Sequence, residues 1–88
     1  MIVLVTYDLK DSDKDYKPFY DTLKKQGTWW HYMSSTWLLD TQKEPEAIVE
    51  ALRSHMSESD NLFVTEITGN NNGQLSQKAW DWLKRHQA

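Results

Sequence analysis

Eighty-eight residues with a formal net charge of −3 suit one small domain and disfavour sequence-independent binding to a phosphate backbone, which depends on Lys and Arg. The lack of cysteine excludes disulfides, zinc–thiolate sites and a cysteine nucleophile, and it fits a reducing cytoplasm. No stretch approaches the roughly 20 apolar residues of a membrane span, so we expect a cytoplasmic, single-domain protein over residues 1–88.

The N-terminal half predicts a strand, a helix and a glycine stop. Residues 2–8 are apolar on both faces of an extended chain, which is typical of a central strand, and they end on Asp8. Asp15 is placed to cap a first helix, and Gly27 is placed to end it as a C-cap. The apolar stripe of this helix has the i, i+3, i+4, i+7 spacing of a buried face and comprises Tyr16, Phe19, Tyr20 and Leu23.

The second half continues with strands and two further helices. Residues 29–41 predict two strands around Ser34-Ser35, forming either a tight hairpin or one long bent strand. A second helix is expected from Pro45, a strand over residues 61–67, and a short C-terminal helix capped by Ser76.

The element order is β-α-β-β-α-β plus a C-terminal helix, which predicts an α+β, ferredoxin-like sandwich. In that plan two helices cover one sheet face, with a core that includes Leu4, Val5, Phe19, Leu23, Leu52 and Val64. Large apolar residues occupy the other face as well, and such a surface usually marks an interface. We therefore expect a homodimer packed through that face.

Four short motifs resemble known proteins: Tyr7-Asp8-Leu9, Gly27-Thr28-Trp29-Trp30-His31, Ser35-Thr36-Trp37 and Ala79-Trp80-Asp81-Trp82-Leu83. These motifs resemble those of the SinR-like small bacterial proteins, and the resemblance covers nearly the whole chain. A resemblance to the CRISPR-associated small adaptor endonuclease family and the VapD-type ribonucleases lies in residues 5–9, in Gly27 followed by Ser35-Thr36-Trp37, and in residues 60–64. The resemblance implies a dimeric ferredoxin-like fold.

The same resemblance implies a catalytic site. In the nuclease relatives an aspartate that ends the first strand binds a divalent metal at the dimer axis, and Asp8 matches it as both metal ligand and catalytic residue. A serine near the second-strand bend recurs there, and Ser35 matches that position. The implied cofactor is Mg²⁺ or Mn²⁺. The relatives usually carry arginines after the aspartate, whereas this chain has Lys10 and Lys14.

Each polar candidate also has a structural interpretation. Asp8 can cap a turn, and Ser35 with its hydroxyl neighbours can satisfy the backbone at a bend. His31 can act as an acid or base, or simply pack between aromatic rings. The segment Asp11 to Asp15 imitates the start of a calcium loop but lacks its glycine and terminal glutamate, so we interpret it as a solvated loop.

The tryptophans carry the same ambiguity. Trp29, Trp30 and Trp37 could stack on unpaired bases, but no Lys or Arg alternates with them along their strands, which favours burial in a dimer.

Two functions follow for this chain. The first is a homodimeric binding or assembly module with RNA or DNA as a candidate partner. The alternative is a metal-dependent endonuclease that cuts RNA or DNA with Asp8 as its ligand.

Overall fold

The protein combines one antiparallel sheet with three helices. The computed structural model describes residues 1–87, without the side chain of Tyr32. Within this range the elements are β1 (Ile2–Asp8), α1 (Lys17–Lys24), β2 (Thr28–Met33), β3 (Thr36–Asp40), α2 (Pro45–Arg53), β4 (Asn61–Ile67) and α3 (Gln77–His86). The strand order is β2-β3-β1-β4, and every neighbouring pair is antiparallel. The predicted α+β class is confirmed.

The helix starts follow their sequence signals closely. Pro45 is the first residue of α2, and the Ser76 side chain caps α3 by accepting a hydrogen bond from the Ala79 N–H at 3.3 Å. Helix α1 differs, because its N-cap position is Tyr16 and carries no side-chain cap. Asp15 was predicted at the N-cap position but lies one residue before it. Its carboxylate accepts a hydrogen bond from the Lys17 N–H at 3.0 Å.

The prediction that Gly27 is a helix C-cap is wrong. Helix α1 ends at Lys24, its C-cap Lys25 has a right-handed backbone, and Gly27 lacks the positive φ of such a cap. A Cβ at this position would collide with the backbone carbonyl oxygen of Asp40. Gly27 is therefore required by the close approach of the chain to the end of β3.

Strands β2 and β3 form the tight hairpin, one of the two predicted alternatives. Ser34-Ser35 make its turn, and Ser35 has a positive φ of 60°. The pairing shifts between Trp30 and Met33, where one extra residue forms a β-bulge. The bulge places Trp30 and Met33 on the same face of the sheet.

One sheet face, the α1/α2 face, holds the larger core. Leu23 of α1 and Leu52 of α2 are completely buried there. Of the predicted core residues, Val5, Phe19, Leu23 and Leu52 are buried, whereas Leu4 and Val64 are only partly buried. The buried members of this core are Val3, Val5, Tyr7, Phe19, Leu23, Trp37, Leu39, Ile48 and Leu52.

The other sheet face, the α3 face, is partly covered by α3 of the same chain. The expectation that only two helices pack on the sheet is wrong. This second core comprises Ile2, Trp30, Leu38, Ala79, Trp82 and Leu83. A contact of 2.7 Å between Nδ1 of His86 and Asp40 also joins α3 to the end of β3. Much of the apolar surface expected at a dimer contact is therefore covered within one chain.

The helices are short. The longest, α3, spans ten residues, and over residues 1–87 no helix has both the length and the apolar character required to cross a bilayer.

Candidate functional site

Helix α3 leaves one end of the α3 face uncovered, at the carboxyl end of β1. Strand alternation and register place five residues on this surface, which we call the open end: Thr6, Asp8, Thr36, Asn61 and Phe63. Phe63 lies opposite Thr6, and its side chain is 62% exposed. The open end therefore carries one aromatic ring, one carboxylate and two hydroxyl groups.

Asp8 ends β1 opposite Asn61 of β4. Its side chain is 65% exposed, and one carboxylate oxygen lies 3.7 Å from Nζ of Lys10. An exposed ion pair of this length stabilises a fold by little. Asp8 is thus available to a ligand, and its neighbouring cation comes from the loop that follows.

The loop between β1 and α1 is held in place by Asp60, a residue that the sequence did not indicate as a candidate. The Asp60 carboxylate accepts hydrogen bonds from the Lys10 N–H at 2.7 Å, the Tyr16 hydroxyl at 2.7 Å and the Ser57 N–H at 2.8 Å. Partial burial tends to raise the pKa of Asp60, but the hydrogen bonds outweigh it and the pKa is lowered. The pKa of Tyr16 is raised, first by desolvation and then by its bond to Asp60.

Ser35 lies at the same end of the sheet as Asp8. Its carbonyl oxygen accepts hydrogen bonds from the Tyr7 N–H at 3.1 Å and from the Thr6 hydroxyl at 3.2 Å. The hydroxyls of Thr6 and Thr36 are 3.3 Å apart. The Ser35 contacts therefore join the hairpin turn to β1 through the Ser35 backbone carbonyl, and the hydroxyl that bonds the backbone here is that of Thr6.

A single chain does not assemble a metal centre around Asp8. Within residues 1–87, no three His, Asp or Glu side chains lie close enough together to hold a metal ion. One carboxylate beside an ammonium group is a poor cation site, so the implied metal would need donors from a second copy.

The acidic segment from Asp11 to Asp15 forms hydrogen bonds with other groups of the chain. Asp11 accepts from the Asp13 N–H at 3.1 Å and from the Ser57 hydroxyl at 2.9 Å. These contacts are those of a structured turn.

His31 lies on the α1/α2 face, opposite to the face that carries Asp8. Its ring stacks on Trp37 with 4.0 Å between centroids and 11° between planes. Burial, followed by the charge of Lys24, lowers the pKa of His31. His31 therefore packs against an aromatic ring and is not brought to the open end.

Comparison of the chain with protein-family models, with curated proteins and with solved structures found no match.

Proposed function

We propose that this protein is a homodimeric binding or assembly module whose two copies meet at the open end. The observation that carries this proposal is the 62% exposure of Phe63 on the part of the α3 face that α3 leaves uncovered. Met33, 46% exposed and paired with Thr36, extends this apolar surface toward the hairpin. RNA or DNA remains the candidate partner of the module.

A second copy of the chain is the favoured occupant because β4 is an edge strand. It spans seven residues, and Asn61, Phe63, Thr65 and Glu66 along it are exposed. A long edge with unpaired backbone groups is a template for another strand. A two-fold contact that joins this edge to the open end would need to bury above about 1,200 Å² in total.

We also propose that the fold is ferredoxin-like. Counted from its other edge, the sheet order is β4-β1-β3-β2. Because β3 is antiparallel to both β1 and β2, the latter two are parallel and β3 lies between them. Each of the two helical crossovers then spans one intervening strand, which supports a split β-α-β arrangement.

Light scattering on a phenylalanine variant tests the dimer. The wild-type chain of 10.4 kDa should scatter at twice its mass at micromolar concentration, Phe63→Ser should be monomeric, and Phe63→Leu should remain dimeric. The reason is that only the serine variant removes the apolar contact. A wild-type monomer under these conditions would contradict the proposal.

A metal-dependent phosphodiesterase is the second candidate function. It is supported by the position of Asp8 on the open end, at the same end of the sheet as Ser35. A two-fold contact there would bring two Asp8 carboxylates together, and Mg²⁺ accepts one or two carboxylates plus water. A bound Mg²⁺ would activate water and stabilise charge on the phosphate.

Cleavage assays with RNA and DNA distinguish the two functions. If the phosphodiesterase is correct, wild type should cleave with Mg²⁺ or Mn²⁺ and stop with EDTA. Asp8→Asn should abolish cleavage, and Asp13→Asn in the exposed loop should retain it. Absence of metal-dependent cleavage by the wild-type dimer would exclude the enzyme and leave the binding module.

A further inference from the structure

The seam between α3 and the edge strand β2 forms a cleft at the side of the sheet opposite to β4. Four α3 residues at i, i+3, i+4 and i+7 spacing face it. This edge cleft has a volume of about 400 Å³ and is lined by Trp29, Trp30, Lys78, Asp81, Trp82 and Arg85. Its wall is thus a row of charged side chains and its floor is aromatic.

The net formal charge of the cleft lining is +1, from Lys78 and Arg85 against Asp81, although the chain is acidic. Lys78 and Arg85 are exposed, and neither lies within 4.0 Å of a carboxylate oxygen in the part of the chain that the structure describes. Asp81 accepts a hydrogen bond from Gln77 at 2.9 Å. Outside the lining of the cleft, Nζ of Lys24 on α1 lies 5.6 Å from the Trp29 ring centre. An anion is the ligand that this arrangement favours.

The aromatic part is rigid but accessible. Trp30 and Trp82 are buried, and Trp82 stacks on His86 with 4.2 Å between ring centres. Trp29 lies on the α1/α2 side of the β2 edge, where its ring packs against Trp37 with 5.2 Å between ring centres and remains 43% exposed. An exposed indole held in place by its neighbours is a platform for a planar group at small entropic cost.

A second cavity of about 400 Å³ adjoins the first and shares Trp30 and Lys78 with it. Met33 and Leu75 contribute apolar surface to its lining. Together the two cavities extend along the α3–β2 seam and offer more space than a single small anion needs. A linear ligand with repeated negative charge and planar groups matches this length and chemistry.

We propose that the edge cleft binds single-stranded nucleic acid, with an unpaired base on Trp29 and phosphates at Lys78 and Arg85. Bases in a duplex hide their faces in the stack, so an aromatic platform selects unpaired nucleotides. An acidic peptide would meet the same cations but offers no planar group for Trp29. This inference rests on the proposed binding function and gives it a ligand class, but it does not need the dimer.

Fluorescence anisotropy with dye-labelled 12-nucleotide single-stranded RNA, single-stranded DNA and a matching duplex tests the site. We expect at least one single strand to bind more tightly than the duplex, and the two single-strand arms show whether the sugar matters. Binding through two phosphate contacts, at Lys78 and Arg85, should weaken with salt at a slope of about −1.4 in a log–log plot, since each contact to a single strand contributes about −0.7.

Two charge-matched double variants provide the control. Lys78→Gln with Arg85→Gln should bring the salt slope to about zero, whereas Lys17→Gln with Arg53→Gln, on exposed parts of α1 and α2, should leave it unchanged. Trp29→Ala should weaken single-strand binding by about 5- to 150-fold, in line with loss of one stacked base.

Several outcomes would overturn the proposal. The first is the absence of single-strand binding at low salt, and the second is an equal effect of the two double variants on the salt slope. The others are tighter binding of the duplex than of either single strand, and competition by a polyglutamate peptide as strong as that by an unlabelled single strand. Light scattering on the same samples keeps the two proposals apart. If monomeric Phe63→Ser still binds the single strand, the site stands even where the dimer contact is wrong.

Discussion

At the scale of single residues, the tightest constraint in the chain is Gly27. It joins α1 to β2 where the chain passes the Asp40 carbonyl of β3, and a Cβ has no room because the nearest atoms are the backbone carbonyl of Asp40 and the Cβ of Thr41. Its φ is not positive, so the requirement is steric and does not come from the conformational freedom of glycine.

Gly27→Ala should therefore destabilise the fold by about 1–3 kcal/mol, as an added methyl group does in a packed site. Gly73→Ala is the matched control, because nothing lies within 4 Å of its Cβ position. That variant should be neutral or slightly more stable, since it restricts the unfolded chain. Urea unfolding measures both, and equal stabilities would show that the Asp40 backbone yields to the methyl group.

His31 links stability to pH. Burial and then Lys24 lower its pKa, so the folded protein keeps a neutral imidazole where the unfolded chain, with a pKa near 6.5, takes up a proton. The stabilising contribution is present above about pH 6.5 and is lost as the pH falls through the lower folded pKa.

The unfolding midpoint of wild type should consequently fall more between pH 7 and pH 5 than that of His31→Gln. Lys24→Gln should raise the His31 pKa, because it removes the neighbouring positive charge. Denaturation across this pH range and an NMR titration of the His31 ring measure these effects. A ring that titrates at or above pH 6.5 in the folded protein would contradict the argument.

At the scale of elements, α1 and α2 are held by their apolar stripes. Leu23 and Leu52 have no exposed surface and belong to the same core. Helices of eight and nine residues are too short to be stable alone in water, so packing on the sheet is what keeps them helical.

Leu23→Ala and Leu52→Ala should each lower the free energy of unfolding by about 2–5 kcal/mol, because each leaves a cavity in this core. Glu46→Ala, on the exposed side of α2, is the control and should change it by less than about 0.5 kcal/mol. Chemical denaturation gives all three values. Losses below about 1 kcal/mol at both leucines would mean that this core repacks around the missing side chains.

At the scale of the whole molecule, the sheet has a core on each side, and α3 covers only part of the second one. The open end and the β4 edge lie away from the edge cleft, which flanks β2 at the opposite edge. A dimer contact at Phe63 and the β4 edge would leave Lys78 and Arg85 accessible, although Met33 belongs both to the apolar surface at the open end and to the second cavity.

A dimer also makes thermal stability depend on concentration. The Tm of wild type should rise with protein concentration, because association stabilises the folded form by mass action, whereas the Tm of Phe63→Ser should not. Melting curves over a hundredfold range of concentration measure this. A wild-type Tm that stays constant across the range would speak against assembly through the open end.

Local patterns determined the elements. The strands at residues 2–8 and 61–67, the starts of α2 and α3 at Pro45 and Ser76, and the α+β class could all be predicted, since they depend on periodicity and caps within a few residues. The position of Asp8 at a strand end followed in the same way. These features need no knowledge of distant contacts.

Only the tertiary structure determined which elements pack against one another. The packing of α3 on the second face, the collision that requires Gly27, and the three bonds to Asp60 join residues far apart in the chain. The same holds for the edge cleft: no cation alternates with the tryptophans along β2, but α3 supplies Lys78 and Arg85 from about 50 residues away. A one-dimensional pattern shows which side chains share a face of one element, and packing decides which elements meet.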